Sequence, residues 1–382
     1  MSEVRVNNLS NENNTGGPTI SGITTYSGKN FFVPPVGDTA SRPSDCEPGS
    51  LRFNTDTAHL EYFRGDTIGW TEIEAELTSP LGTSTTGDGH RGIVVGGGAP
   101  GGNTHMDFYN HSTLGSSVDF GDYYQAERNA GNGQAGNSTR MLILCGDLNP
   151  QGGPIHGNIA SITIASTGHS ADSGNDMTQA RRLCAQFSNS TRACAAGGYE
   201  PTTDIIDFTT ISSLSAGVDF GNLDSAKYFQ SGSSSSTRGV IIKNQNQNVI
   251  QFVTISTTGD AVDFGDSRVV GQALGVANNS TRIVIAEGGS PNLGNVISFI
   301  TTATTGNAQD FGDLVGTNRR DGVGTSSPTR GVFSCGYDGS NHHDEQDSVE
   351  LATTGNSVNF GDTVNGNRFR LSGGSSGHGG LG

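Results

Sequence analysis

The chain has 382 residues, 58 of them glycine, with 32% hydrophobic residues, 15% charged residues and a formal net charge of −16. That charge disfavours a nucleic-acid backbone or an anionic membrane surface as partner, since both call for a basic face, and no stretch approaches the ~20 apolar residues of a membrane-spanning helix. Glycine, serine, threonine and short β-branched runs dominate, which predicts an all-β chain of many short strands and tight turns.

Residues 1–45 read as an extended arm. Residues 7–14 are polar and unpatterned, residues 18–26 offer one short strand, and Phe31-Phe32-Val33-Pro34-Pro35-Val36 is apolar with prolines that forbid a central strand. Such a segment cannot bury itself alone. Docking on a partner is expected, because Phe31, Phe32 and Val33 left exposed are a liability. Residues 1–8 lack the basic start and apolar centre of a signal peptide, so synthesis in a cytoplasm is expected. Residues 46–75 read as a small β module with strands at 49–53, 60–63 and 70–73 and turns at 54–57 and 64–66. Residues 76–88 are a linker rich in Ser, Thr and Gly.

From residue 89 to 382 one pattern recurs. Val118-Asp119-Phe120-Gly121-Asp122 has close copies around Phe264 and Phe311 and worn copies around Ser173, Phe220 and Phe360. The intervals are 44 to 53 residues, the length of a propeller or solenoid repeat. Each repeat has four strand-sized pieces. The first follows an arginine, at 91, 140, 192, 238, 282 and 330; the second is a Thr/Ile/Val/Phe run, clearest at 249–255 and 296–300, and usually ends in Thr-Gly. The third carries the Asp-Phe-Gly-Asp piece, and the fourth runs from a basic residue through Gly, Ser and Ala to the next arginine. No fourth piece precedes Arg91, while one, at 367–374, ends the series, so it is expected to complete the sheet begun at Ile93. The prediction is a six-bladed β-propeller of four-stranded blades, with a seventh blade from residues 49–73 as the alternative. The Phe is expected as a core plug, the Gly-Asp as a turn, and the arginine as a fork satisfying carbonyls or an Asp of a neighbouring blade.

No catalytic, cofactor-binding or metal site is predicted. A kinase reading of Asp-Phe-Gly fails, because the triplet repeats and the other kinase motifs are missing. Gly96 to Gly102 is glycine-rich, but no Gly-Lys-Ser/Thr follows. Asn341-His342-His343-Asp344-Glu345-Gln346-Asp347 is the richest potential ligand cluster and reads as a solvated loop between the first and second strands of the last repeat. The five cysteines (Cys46, Cys145, Cys184, Cys194 and Cys335) include no Cys-x-x-Cys and are expected reduced, buried and inert. Asn-Ser-Thr at Asn137, Asn189 and Asn279 falls in one repeat slot and reads as a turn before the arginine strand.

The order of arginine strand, double glycine, β-run and aromatic plug resembles the kelch repeat, without the Tyr and Trp that kelch repeats keep. Residues 48–73, with Ser50-Leu51-Arg52-Phe53-Asn54-Thr55 and Leu60-Glu61-Tyr62-Phe63 leading to Trp70 and Ile73, resemble a small module of tailed-phage virion proteins and fibres. The Ser-Thr-Arg-Gly and Thr-Gly-Asn-x-x-Asp-Phe-Gly-Asp repeats resemble those of structural proteins of marine phages, cyanophages among them. The resemblance implies a non-enzymatic virion protein without cofactor, made in the host cytoplasm. Residues 1–45 would hold it to other virion proteins of tail, neck or capsid, and the propeller would be displayed as a tail fibre, adhesin or decoration with a host-surface glycan as candidate ligand. The alternatives are a glycan-active enzyme on a propeller and a free lectin-like protein.

Overall fold

The computed structural model describes residues 34–57, 59–73, 91–98, 103–148, 153–244, 247–289 and 293–381. The chain divides into two compact units, Met1–Leu77 and Thr78–Gly382.

The first unit is a four-stranded sheet in the order Val36–Gly37, Leu51–Asn54, His59–Phe63, Trp70–Ile73. The three module strands fall where alternation and turn residues put them. The edge strand is an addition. Val36 and Gly37, just after the two prolines, pair in parallel with Phe53 and Asn54, an edge position that proline tolerates. Buried Glu61 organises the interior: Arg42 Nη2 donates to it at 2.6 Å, Asn54 Nδ2 at 3.2 Å, and Arg52 Nε lies 3.4 Å away. The Trp70 indole donates to the Pro43 carbonyl at 3.1 Å. Residues 34–45, expected as part of a docking arm, thus fold onto the module of their own chain. Residues 1–33, including Phe31 to Val33, and the linker lie outside the described residues. The small sheet belongs to its own unit and is not a seventh copy of the repeat.

Among the described residues the second unit holds five hydrogen-bonded sheets, of six, three, nine, four and four strands, in which one antiparallel strand plan recurs; the nine-stranded sheet joins two copies of it, and the copies are numbered sheets one to six in chain order. Each starts on an inner strand and proceeds outward through a strand that begins at the repeated arginine, a third strand, and an outer strand carrying the Asp-Phe-Gly-Asp piece. In sheet five these are Gly275–Asn278, Arg282–Ala286, Val296–Thr301 and Gln309–Asp313. In sheet six they are Val323–Ser326, Arg330–Tyr337, His342–Glu350 and Val358–Asp362. The inner strand of sheet one is supplied by the far end of the chain: Ser372–Ser375 pairs with Arg91–Val95. Sheet two differs. Its second, third and outer strands are regular, but its inner segment, Asn132–Gly133, pairs in parallel with Ala185 of sheet three and with Ser231–Gly232 of sheet four.

Six apolar clusters hold this arrangement, one between each pair of consecutive sheets. Ile93, Met106 and Phe120 meet Met141, Ile143 and Ile162 between sheets one and two. Val94 and Tyr109 meet Val332, Phe360 and Leu371 between sheets six and one. Alternating side chains of each strand point to opposite faces, so every sheet feeds two clusters.

The repeated motif has a different local role from the turn expected for it. In five sheets its Phe is the extra residue of a β-bulge: Ile250 faces Gly265 and Gln251 faces Asp263, leaving Phe264 unpaired in register. Met106 and Asp107 face Gly121 and Asp119 in the same way. A bulge turns the side chain and frees the backbone from the ladder. The five Phe rings are 2–3% exposed and most pack edge-on against a third-strand Phe, as Phe252 does on Phe264 at 5.9 Å. Their freed carbonyls accept from the next sheet. Gly168 N donates to Phe120 O, Gly259 N to Phe220 O, Gly306 N to Phe264 O, Gly355 N to Phe311 O and Gly115 N to Phe360 O, all at 2.7–2.8 Å. A second bond follows two residues on, for example Ala308 N to Asp266 O at 2.8 Å. Asn307 and Asn356, each beside a Thr-Gly glycine, accept from the backbone N–H of Asp266 and Asp313 at 3.0 Å. The Gly-Asp is therefore the site of a clasp between sheets, which requires glycine: a Cβ at Gly312 (φ 152°) would lie 2.3 Å from the Gly355 carbonyl oxygen.

The arginines make a second ring of links. Each donates through Nη1 to a carbonyl at the end of the next sheet's third strand: Arg91 to Ile164, Arg140 to Ile211, Arg192 to Ile255, Arg238 to Thr302, Arg282 to Leu351 and Arg330 to His111, at 2.8–3.0 Å. The last link returns from sheet six to sheet one. Four of these guanidinium groups also lie 4.4–4.7 Å over a third-strand Phe.

The clasp yields a paired test. Gly312→Ala forces a Cβ onto backbone in a left-handed conformation and is expected to cost at least ~2 kcal/mol. Gly355→Ala, across the same clasp, meets nothing within 4 Å and is expected within ~0.5 kcal/mol of the parent. Thermal and denaturant unfolding of the two variants measure the difference, and equal stability contradicts the clasp.

Candidate functional site: the open end of the ring

The inner strands approach one another closely around the middle of the unit. A Cβ at Gly232 would lie 2.1 Å from the Gln186 carbonyl oxygen, and one at Gly324 2.1 Å from that of Val276. The segment through Asn132 and Gln134 fills the remaining space. Gln134 Nε2 donates to Asn278 Oδ1 at 3.0 Å and to Ser326 Oγ at 2.7 Å, and Ser375 Oγ donates to Gln134 Oε1 at 2.9 Å. A buried polar set of this kind is stable only when its members are paired.

The two ends of this packed middle differ. At the end where the inner strands finish, residues 376–381 fold back over it. His378 is buried, with its Nε2 3.3 Å from the Gly136 carbonyl, and Gly379 and Gly380 are buried beside it. Burial lowers the His378 pKa to about 4, opposed by that carbonyl contact, so the imidazole is neutral at pH 7.

At the end where the inner strands begin lies a shallow depression, open to solvent, with a cavity volume of about 20 Å³, room for about one water-sized group. It is lined by the segments leading into the inner strands, among them Asn132, Phe229, Gln230, Gln272, Asp321 and Arg370. Leu183, Phe229, Asp321 and Arg370 each stand two residues before an inner strand, and all four have φ of 55–59°. Non-glycine residues in the left-handed region cost about 1–3 kcal/mol each and concentrate at functional sites. They are held by backbone bonds around the rim: Leu183 N to Asn129 O, Phe229 N to Leu183 O, Asp321 N to Ala273 O and Arg370 N to Asp321 O.

Asp321 is buried at the rim with Arg370 Nε 3.6 Å from its carboxylate. Burial pushes its pKa up, against the pull of Arg370 and Arg320. Arg370 also donates to Asn129 Oδ1 at 3.1 Å and lies between Phe229 and Phe369, 4.8 and 5.1 Å from their centroids. Half-buried aromatic groups continue outward on both sides: Tyr228 and Tyr199 beyond Phe229, and His342 stacked on Phe369 at 4.5 Å. Three amide oxygens on lining residues, Asn132 Oδ1, Gln230 Oε1 and Gln272 Oε1, are buried without a protein hydrogen-bond partner. The arrangement offers one guanidinium and aromatic walls, while the three amide oxygens are packed inside the protein. It places no nucleophile beside a base.

The stretch from His342 to Asp347 is not a loop. It forms the start of strand His342–Glu350, because its residues find partners in register. His343 Nε2 lies 2.9 Å from Asp338 Oδ2, and Arg319 takes both Glu345, at 2.9 Å, and Asp347, at 2.8 Å. Backbone N–H bonds from Asn341 and Ser340, together with the His343 contact, hold the Asp338 carboxyl well below the usual range. Among the described residues no group of three His, Cys, Asp or Glu is placed to hold a metal. Gly96 to Gly98 end the first arginine strand, and residues 99–102 lie outside the described residues. Asn137 Oδ1 accepts from Thr139 N and Arg140 N at 3.0 and 2.9 Å, a turn that Asn189 and Asn279 repeat.

Two features escaped the sequence reading. Buried Arg181 pairs with Asp207, and Arg368 with Asp107, in the same relation as Arg319 with Asp347. In sheets one, three and six the basic residue opening the fourth piece is therefore tied to an Asp of the third strand. The cysteines depart further from expectation. Cys145 and Cys184, 39 residues apart, are joined in a disulfide between sheets two and three, while Cys46, Cys194 and Cys335 are free. The two sulfurs meet because the second strand of one sheet packs on the inner strand of the next.

The unreduced chain unfolded in denaturant is expected to titrate three thiols, rising to five after reduction; five before reduction contradicts the bridge. Acidification supplies a second check. The unfolded chain binds a proton at His378 near pH 6.5 and the folded chain only near 4, so stability is lost as pH falls through this window, by ~3 kcal/mol at most. His378→Gln is expected to flatten the fall in melting temperature between pH 6.5 and 4, and an unchanged pH profile contradicts it.

No protein-family model matches the chain, and no curated protein matches it, so function has to be read from the geometry of the ring and its open end.

Proposed function

We propose that the larger unit is a six-bladed β-propeller and that the protein is a non-enzymatic structural component of a tailed-phage particle, displaying the open end of the propeller for recognition of a host-surface glycan. The observation that carries the recognition reading is the asymmetry of the ring. One end is covered by residues 376–381, and the other bears an open depression with left-handed rim residues and a rim guanidinium, Arg370. The particle reading draws on the resemblance of residues 48–73 and of the repeats to virion proteins. The six arginine links and six apolar clusters support a blade count of six. Attachment to other virion proteins of tail, neck or capsid falls to residues 1–45, at the start of the first unit. Of the attachment sites, tail or fibre is preferred over head decoration.

Quantitative mass spectrometry of purified particles, with antibodies against residues 89–382 in electron microscopy, tests this. Co-purification at fixed stoichiometry with label on tail or capsid is expected. A chain found free in the lysate and missing from particles contradicts it.

A further inference from the structure

The small sheet of the first unit is built inside out. Its closed face holds Arg52, Asn54 and Glu61, 5%, 0% and 0% exposed, bonded to Asp38, Thr39 and Arg42. Its other face is apolar. Val36 lies opposite Phe53, Phe53 opposite Leu60 and Leu51 opposite Tyr62. Residues directly opposite share a face, as do residues two apart on one strand, so these five form one patch without a charge. Val36 is 57%, Leu51 40% and Leu60 38% exposed. Buried ions beside exposed leucines reverse the usual distribution, and an apolar patch of this kind marks a contact.

Size decides what covers it. Four strands of two to five residues, at ~4.8 Å spacing and ~3.3 Å rise, make a face of roughly 250 Å². A free partner, a second copy of this chain included, needs ~800 Å² on each side for a stable interface. A segment already tethered to the sheet escapes most of the cost of association. The chain carries one. It enters the sheet at Pro35, whose carbonyl accepts from Phe53 N at 2.8 Å, and Phe31-Phe32-Val33 comes just before the two prolines. At ~3.6 Å per residue all three lie within ~18 Å of Val36, about the width of the face.

We propose that the apolar face of the module is the docking site of Phe31-Phe32-Val33 of the same chain. The register supports this. Phe63 N donates to Ser50 O, so Leu51, opposite Tyr62, turns its own N–H toward the edge that Val36 occupies. One rung before the bond from Phe53 N to Pro35 O, that N–H meets the carbonyl of Val33. Alternation then brings Phe32 to the face of Val36, beside Leu51. The inference goes beyond the reading above and narrows it in one respect: with residues 31–33 taken up by the module, residues 1–30 are left to reach a particle.

Photo-crosslinking of the full chain tests it. Phe32→p-benzoylphenylalanine, in an equal mixture of heavy-isotope and ordinary chains, is expected to link to peptides containing Leu51, Phe53, Leu60 or Tyr62 within one chain. Hydroxyl-radical footprinting is the second arm. Phe31→Ser with Phe32→Ser is expected to raise labelling of Leu60 and Tyr62 severalfold. The emission of Trp70, the single Trp, is expected to stay as in the parent, because Trp70 packs on the opposite face against Phe63 and Pro43; where it shifts, the crosslinks alone decide. Links between heavy and ordinary chains assign the face to a second copy and overturn the inference. Links confined to residues 78–382, or none to the module, overturn it too, as does labelling unchanged by the double substitution with Trp70 unaltered. The assay uses purified chain without particles, so its failure leaves the particle result standing, and absence from particles leaves the docking to be judged alone.

Discussion

The larger unit depends on a carbonyl freed by a β-bulge. A bulge takes one residue out of the ladder, and here that residue is the Phe of the repeated motif. Its ring fills the apolar layer, and its carbonyl points away from its own sheet to accept from a glycine of the next. One residue thus supplies both core and junction. The glycine after it carries no Cβ because the neighbouring backbone occupies that volume. The same junction explains the Thr-Gly-Asn sequence that recurs upstream: the glycine N–H is the donor and the Asn or Asp side chain adds a bond to the same strand.

With junctions supplied by backbone and by arginine, the sheets need little from the middle of the ring. Inner strands rich in Gly, Ser and Ala can then approach to backbone contact, and the segment through Asn132 and Gln134 packs between them. The two ends of this packed middle are the places where the strands stop. Residues 376–381 take one. At the other, the segments entering the inner strands share a left-handed backbone in one repeat slot but not a side chain, and Leu183, Phe229, Asp321 and Arg370 fill it. A net charge of −16 has little bearing on this end, where arginines and carboxylates are paired.

Much of this architecture was legible in the sequence because it repeats. The six arginines mark the starts of six second strands, and the absent fourth piece before Arg91 was enough to pair Ser372–Ser375 with Arg91–Val95. The role of Gly-Asp was not legible: a lone strand cannot reveal a bulge whose purpose is a bond to another sheet, and turn chemistry was the nearest local reading. The Arg–Asp pairs were half visible. The basic residues recur, but Asp107, Asp207 and Asp347 share their slot with Ala160, Gln251 and Ser298. The disulfide joins two repeat slots with no common spacing. The strand from His342 was mistaken for a loop because its histidines and carboxylates look solvated until Arg319 and Asp338 are placed beside them. The depression is lined by residues that share a slot and a backbone conformation but not a side chain, and a search for recurring residue types passes over them.

Amide hydrogen exchange at the junctions addresses the closed ring most directly. Gly306 N and Gly355 N donate across ordinary junctions, while Gly115 N and Ser117 N donate across the junction that joins the last sheet to the first. Residue-resolved exchange on the full chain is expected to show Gly115 and Ser117 protected to the same degree as Gly306 and Gly355. Fast exchange at Gly115 and Ser117 with protection at the other junctions would mean that the six sheets form an open row, and the account of a closed ring with one recognition face would be wrong.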